Sequence, residues 1–474
     1  MLGAAVLALP VSAAVAQNET AGEPASGSEQ RLGQSAPAPT PRGEMPAELV
    51  MESEEQGEQI NDAGPWWEWD AATGGWFGVR NALLEHGVDI FGGFTTEVWG
   101  NTAGGSGTGA VSTSLFDFGV EIDLDKLVGW EGATFHNSWF APMGKDVSSE
   151  YAGNLFTISN AAAFNSLYLY ELWLQQNFLE DAVSIRVGQL AADTEFAGSD
   201  YGSLFLNSCF GWPPFLSFNI PNVGPAFPKG TLGARLALNP TDWFTLQTAV
   251  YQGDPFEDTV NRHGFRWELN SEIGYLWMNE AQVRWNHRED STGLTGQIKG
   301  GFWYHTADFA SADASSGKVY QGNYGFYAVL DQMLYREPGG ETAVADKDGK
   351  SVAAEKSDEG LGWFGRVGFG PQDRNFIGFY FDTGLTYKGL IPSRGEDTLG
   401  IAFAYGQLTD GARASLRGEG SSPVGAEMVL EATYQCQITP WFAVQPDLQF
   451  IINPGATSDL TNALVIGARA SIAF

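Results

Sequence analysis

The sequence predicts an all-β fold, a transmembrane antiparallel up-and-down β-barrel of about 16 strands with a short N-terminal helix. Three observations carry that expectation: a two-residue apolar period from Val88 to the last residue, links that alternate between tight and long, and an export signal at the start.

The period is read directly. Phe116, Phe118, Val120, Ile122 and Leu124 alternate with Asp117, Gly119, Glu121 and Asp123, so one face is apolar and the other polar or small. Val183, Ile185 and Val187 alternate with Ser184, Arg186 and Gly188 in the same way, and Ile298, Phe302 and Tyr304 with Lys299, Gly301, Trp303 and His305. Leu464, Ile466, Ala468, Ala470, Ile472 and Phe474 close the chain on one face. About seventeen such runs occur, beginning near 88, 114, 132, 167, 182, 231, 243, 265, 281, 297, 322, 361, 375, 397, 426, 441 and 462. A closed bacterial barrel needs an even number, and Ala281 to His287, the shortest, is expected to be a connection.

Tight links such as Phe178 to Asp181, Asn239 to Asp242 and Ile438 to Trp441 alternate with long ones, Ala141 to Ser166, Leu190 to Gly230 and Gly406 to Gly425. This is the short-turn, long-loop asymmetry of outer-membrane barrels. Met278 to Gly296 and Arg336 to Gly360 break it, being long on the short side.

Composition agrees. Among 474 residues are 60 glycines, 31 phenylalanines, 16 tryptophans and 15 tyrosines, which suit many turns and an aromatic belt, while mean hydropathy is slightly polar, as a wall with one face in water requires. Acidic residues outnumber basic ones 57 to 25, a formal charge of −32 that would repel nucleic acid. The two cysteines, Cys209 and Cys436, supply no disulfide framework and no metal spacing, and Cys436 reads as a small apolar strand residue. A cofactor is not expected.

The apolar run Leu2 to Val15 leads into Ala14-Val15-Ala16, a small-x-small cleavage site, so residues 1–16 are expected to be a signal peptide. No Lys or Arg precedes it, and the natural start is expected upstream of Met1. Residues 17–62 are an acidic, low-complexity extension with too little apolar area to offset ordering entropy. Residues 63–87 form a periplasmic lead-in segment with one short helix stopped by Gly87, and 88–474 the barrel.

Several blocks carry a resemblance: Gly74-Gly75-Trp76-Phe77-Gly78-Val79-Arg80, Ile185-Arg186-Val187-Gly188-Gln189, Gly301-Phe302-Trp303-Tyr304-His305-Thr306, Gly362-Trp363-Phe364-Gly365-Arg366, Gly389-Leu390-Ile391-Pro392-Ser393-Arg394 and Gln445-Pro446-Asp447-Leu448-Gln449. In this order, over roughly residues 65 to 474, they resemble the carbohydrate-selective porin family OprB. The resemblance implies a sixteen-stranded barrel that conducts sugars by passive diffusion. Expected partners are mono- and small oligosaccharides, the lipid bilayer and the lipopolysaccharide of the outer membrane, with the barrel a monomer or loose oligomer.

A sugar crossing a pore exchanges hydration for many weak contacts. Aromatic rings stack on the apolar faces of pyranoses, and Arg, Glu and Asp bond hydroxyls with charge assistance. By the alternation Glu97, Glu121, Glu171, Trp173, Arg186, Arg235, Trp303 and Arg366 face the lumen and are candidate pore-lining residues. Arg186 and Arg235 flank the long link Leu190 to Gly230, whose Trp212-Pro213-Pro214-Phe215 is the candidate to fold inward, with Trp212 reaching the bore. A general or cation-preferring pore is the alternative within the class. An outer-membrane hydrolase is the alternative outside it, with His136 and Ser138 the nearest Ser-His pair, yet no HExxH or GxSxG pattern supports catalysis.

Overall fold

A computed structural model describes residues 59–288, 291–338 and 357–474; the expected signal peptide and residues 17–58 of the extension lie outside the described residues. Sixteen strands follow one another: β1 (Val88–Gly105), β2 (Gly109–Asp123), β3 (Ala133–Gly144), β4 (Tyr168–Phe178), β5 (Val183–Leu190), β6 (Thr231–Thr241), β7 (Phe244–Gln252) and β8 (Tyr275–Trp285), then β9 (Gly296–Ala310), β10 (Val319–Arg336), β11 (Gly360–Phe369), β12 (Ile377–Lys388), β13 (Thr398–Leu408), β14 (Ala426–Thr439), β15 (Phe442–Ile452) and β16 (Thr461–Ala473). Each pairs antiparallel with its chain neighbours, and β1 pairs with β16 as well as β2, so the sheet closes and no edge is left. The register at the seam sets Glu97 opposite Arg469 and Trp99 opposite Gly467.

Because the side-chain period is two, each strand divides its residues between two solvents. On β16, Ala463, Val465 and Arg469 are buried inward while Ile466 is exposed on the outer face. The outer face of the other strands carries the same kind of residue: Val98, Val187, Leu246, Ile298, Phe326, Leu385 and Leu430 are all exposed there.

Two strand assignments are corrected. The run Ala281 to His287 is no plain connection: residues 281–285 form the end of β8, in which Leu276, Met278, Glu280 and Gln282 are buried inward, and only Asn286 and His287 lie in the link. The run near Phe265 is not a strand. Phe265, Trp267 and Leu269 are exposed in the link between β7 and β8, whose residues lie beside the short β5: Trp267 Nε1 donates to Gln189 Oε1 at 2.6 Å, Leu169 N to His263 O at 3.0 Å, and the Phe265 ring meets Trp139 at 5.6 Å. The link faces outward like wall, so it alternates like wall without joining a ladder. Since β8 reaches Trp285, one of the two anomalous turn-side links shrinks to residues 286–295. Most of the other, 337–359, lies outside the described residues.

The lead-in helix α1 (Val79–Glu85) ends at Gly87, whose φ of 78° a Cβ would disfavour. The chain before it lies under the seam: Ala72 N donates to Ala473 O at 2.9 Å, and Trp66 packs on Trp441 with ring centroids 4.3 Å apart.

Candidate permeation site

The barrel is not hollow. The loop from β3 to β4 (145–167) and that from β5 to β6 (191–230) both enter the bore and bond to each other: Asn160 N donates to Leu206 O at 2.8 Å, Ser208 N to Thr157 O at 2.8 Å, and Asn207 Nδ2 to Phe156 O at 3.0 Å. A loop inside a barrel must satisfy its backbone groups without a sheet, and the wall supplies the partners. Glu431 accepts from Leu206 N and Asn207 N, at 2.5 and 3.0 Å. Glu427 accepts from Leu155 N, Phe156 N and Gly455 N, Glu280 from Ala197 N, and Glu171 from Ala191 N at 2.9 Å. Arg366 does the converse, giving its guanidinium hydrogens to the carbonyls of Ala197, Cys209, Phe210 and Gly211 at 2.8–2.9 Å while Asp382 neutralises it at 2.6 Å. Wall glycines make room for the loop rings. A Cβ on Gly368 would stand 2.2 Å from the Phe215 ring, and one on Gly406 2.3 Å from that of Phe156.

The candidate residues therefore divide. Glu97, Glu171 and Arg366 are buried and fasten loops or the seam; Glu97 pairs with Arg469 and accepts from Trp99 Nε1 at 2.7 Å and Ser159 Oγ at 2.5 Å. Trp212 is buried within its own loop, its Nε1 donating to Val223 O at 2.9 Å, and Trp303 is fully buried against Gly325. Trp173 is flanked on both ring faces, by His136 with centroids 4.7 Å apart and by the Arg186 guanidinium at 3.8 Å. With Phe91 stacked on His136 at 5.5 Å, this makes a row of flat groups across β1, β3, β4 and β5.

Arg186 and Arg235 converge instead on a shared carboxylate, Glu195 of the inner loop. Arg186 Nη1 meets Glu195 Oε1 at 2.7 Å and Arg235 Nε meets Oε2 at 2.8 Å, while both arginines donate to Gln175 Oε1 at 3.0 Å. Burial pushes the Glu195 carboxyl up, but the two guanidiniums outweigh this and hold it below its ordinary value. The three side chains keep 8–17% exposure. Water also reaches Lys299 and Asp200, whose side chains lie 4.0 Å apart, and Glu121, which holds His136 Nδ1 at 3.0 Å. Basic wall residues and carboxylates of wall and loop thus stand close together in these pairs. Glu195, Gln175 and Asp200 were not singled out from the sequence: Gln175 shares the lumen face of β4 with Glu171 and Trp173 but carries no charge to mark it, and Glu195 and Asp200 lie outside the regular runs, brought to the wall only by the folded loop.

Residues 108–474 match the profile of the carbohydrate-selective porin family OprB. The chain belongs to the OprB family. It is 25% identical over 431 residues to Porin B of Pseudomonas aeruginosa, covering 85% of this chain and 90% of that protein. It is 22% identical over 448 residues to the putative porin QuiX of Acinetobacter baylyi, covering 88% and 97%. A high-pH structure of Pseudomonas putida OprB superposes with a TM-score of 0.73 at 22% identity, over 86% of this chain and 99% of that one, and shares its fold. The protein is accordingly a carbohydrate-selective outer-membrane porin, a channel and not an enzyme. In this OprB porin His136 is a packed wall residue, stacked between Phe91 and Trp173 and bonded to Glu121.

Proposed function

We propose that mono- and small oligosaccharides cross this porin along the β4–β6 wall, handed past the Arg186–Glu195–Arg235 cluster, with Glu121 on one approach and Lys299 and Asp200 on another. The observation that carries the reading is the sharing of one loop carboxylate by two wall arginines, of which Arg186 keeps 17% of its side chain exposed while Arg235 is buried behind it. Such a group presents charge-assisted donors and an acceptor at once, matching a hydroxyl that both donates and accepts, while the one carboxylate offsets part of the charge of the two guanidiniums. The wall residue Trp173 acts from behind, orienting Arg186, and Trp303 fills the space over Gly325. A single barrel suffices for this, since apolar residues cover the outer face of strands all round the wall and lipid can solvate each of them. Liposome swelling tests the route. Glucose is expected to enter faster than an amino acid of similar size, and Arg186→Ala with Glu195→Gln to erase that difference; equal rates in the parent protein, or an unchanged difference in the variant, would exclude it.

A further inference from the structure

On the outer face of the barrel, at its turn-side end, Ile90, Gly92, Phe116, Phe118 and Phe474 form the floor of an apolar groove of about 370 Å³, which Trp76 of the lead-in segment roofs. We propose that this groove holds one acyl chain of a phospholipid from the periplasmic leaflet. Its floor consists of outward positions of β1 and β2 and the residue that ends the chain, so it is continuous with the face that the strands present to lipid. Short turns of outer-membrane barrels lie on the periplasmic side, which places the groove at the inner leaflet.

The roof is built rather than incidental. Trp76 and Phe77 are consecutive non-glycine residues with φ of 52° and 59°, a conformation that bulky side chains adopt only when their surroundings enforce it. Gly75 N on Asp62 Oδ2 at 3.0 Å, Ala72 N on Ala473 O at 2.9 Å and the Arg80 guanidinium 5.2 Å from the Trp76 ring centre hold the turn there. Thr73 Oγ1 takes the indole N–H at 3.0 Å, so what Trp76 offers the groove is apolar. Beside it Phe77 and Val79 are uncovered, as residues resting in an interfacial layer would be. A chain under this roof is retained, whereas lipid along open wall exchanges freely.

The test uses the full chain in vesicles of phosphatidylethanolamine, a small fraction of it carrying a photoreactive diazirine at the end of one acyl chain. After irradiation and digestion, peptides containing Trp76 and Phe118 should carry severalfold more adduct than those containing Leu430 and Phe450 on open wall. Gly92→Leu fills the floor from a position where a Cβ makes only ordinary contacts of 3.4–3.7 Å, so the wall accommodates it. It should abolish the excess, as should Trp76→Ala by removing the roof. Equal labelling of groove and open wall in the parent protein overturns the proposal, and so does an excess that survives Gly92→Leu.

Discussion

Arg366 divides its hydrogen bonds between four carbonyls of the loop that fills the bore and the wall carboxylate of Asp382, and its side chain is wholly buried. Replacing it with Ala leaves Asp382 as a buried unpaired charge and strips partners from four carbonyls, a loss of about 3–5 kcal/mol for breaking a buried pair. Arg366→Ala should lower the thermal unfolding midpoint and raise single-channel conductance as the loop detaches. Lys at this position restores charge but not the five-donor fork, so it should rescue only in part. Glu195 obeys a different rule. Its carboxyl titrates below the ordinary carboxylate range, so the stabilisation from its two arginines is complete above the unfolded-state value of about 4.3 and is lost only as pH falls through the lower folded value. Sugar flux should therefore stay level from pH 8 to about pH 5. A decline that begins near neutrality would contradict the arrangement.

At the scale of elements, the strands were legible because lipid and water impose alternation on every span, and sixteen segments between Val88 and Ala473 answer to it. The same logic misled at Phe265, where a link faces outward without entering the sheet, and at Ala281, where the charged stretch after Trp285 disguised the end of β8. The inner loops were legible only in part. Length and the Trp-Pro-Pro-Phe motif marked 191–230 as inward-folding, but their fastening is by backbone N–H groups such as that of Leu206, 225 residues from Glu431 in sequence. Every residue type but proline has that donor, so nothing in the composition announces it. The wall glycines gave a faint signal: Gly368 and Gly406 recur on lumen faces, yet the rings they admit, Phe215 and Phe156, are set by loop paths that no period describes.

For the molecule as a whole, the charge of −32 invites the expectation of a strongly cation-selective pore, and among the described residues two groups of acids behave differently. Glu97, Glu171, Glu280, Glu427 and Glu431 are at most 5% exposed and engaged by hydrogen-bond donors from loops or wall, so they are parts of the fold. Glu121 and Asp200 have side chains 49% and 68% exposed, so on the proposed route they are the acids that would act on passing ions. Low-dielectric walls focus such charges, but salt screens them, with a Debye length of about 10 Å at 0.1 M and about 3 Å at 1 M. Reversal potentials in planar bilayers should show a modest cation preference in dilute salt that fades toward 1 M. Glu121→Gln combined with Asp200→Asn should remove most of it without altering thermal stability. Glu427→Gln with Glu431→Gln should do the opposite, destabilising the loops that these carboxylates hold while leaving the selectivity of folded channels unchanged. If instead the buried pair governs the reversal potential, the division between structural and lumenal acids is wrong.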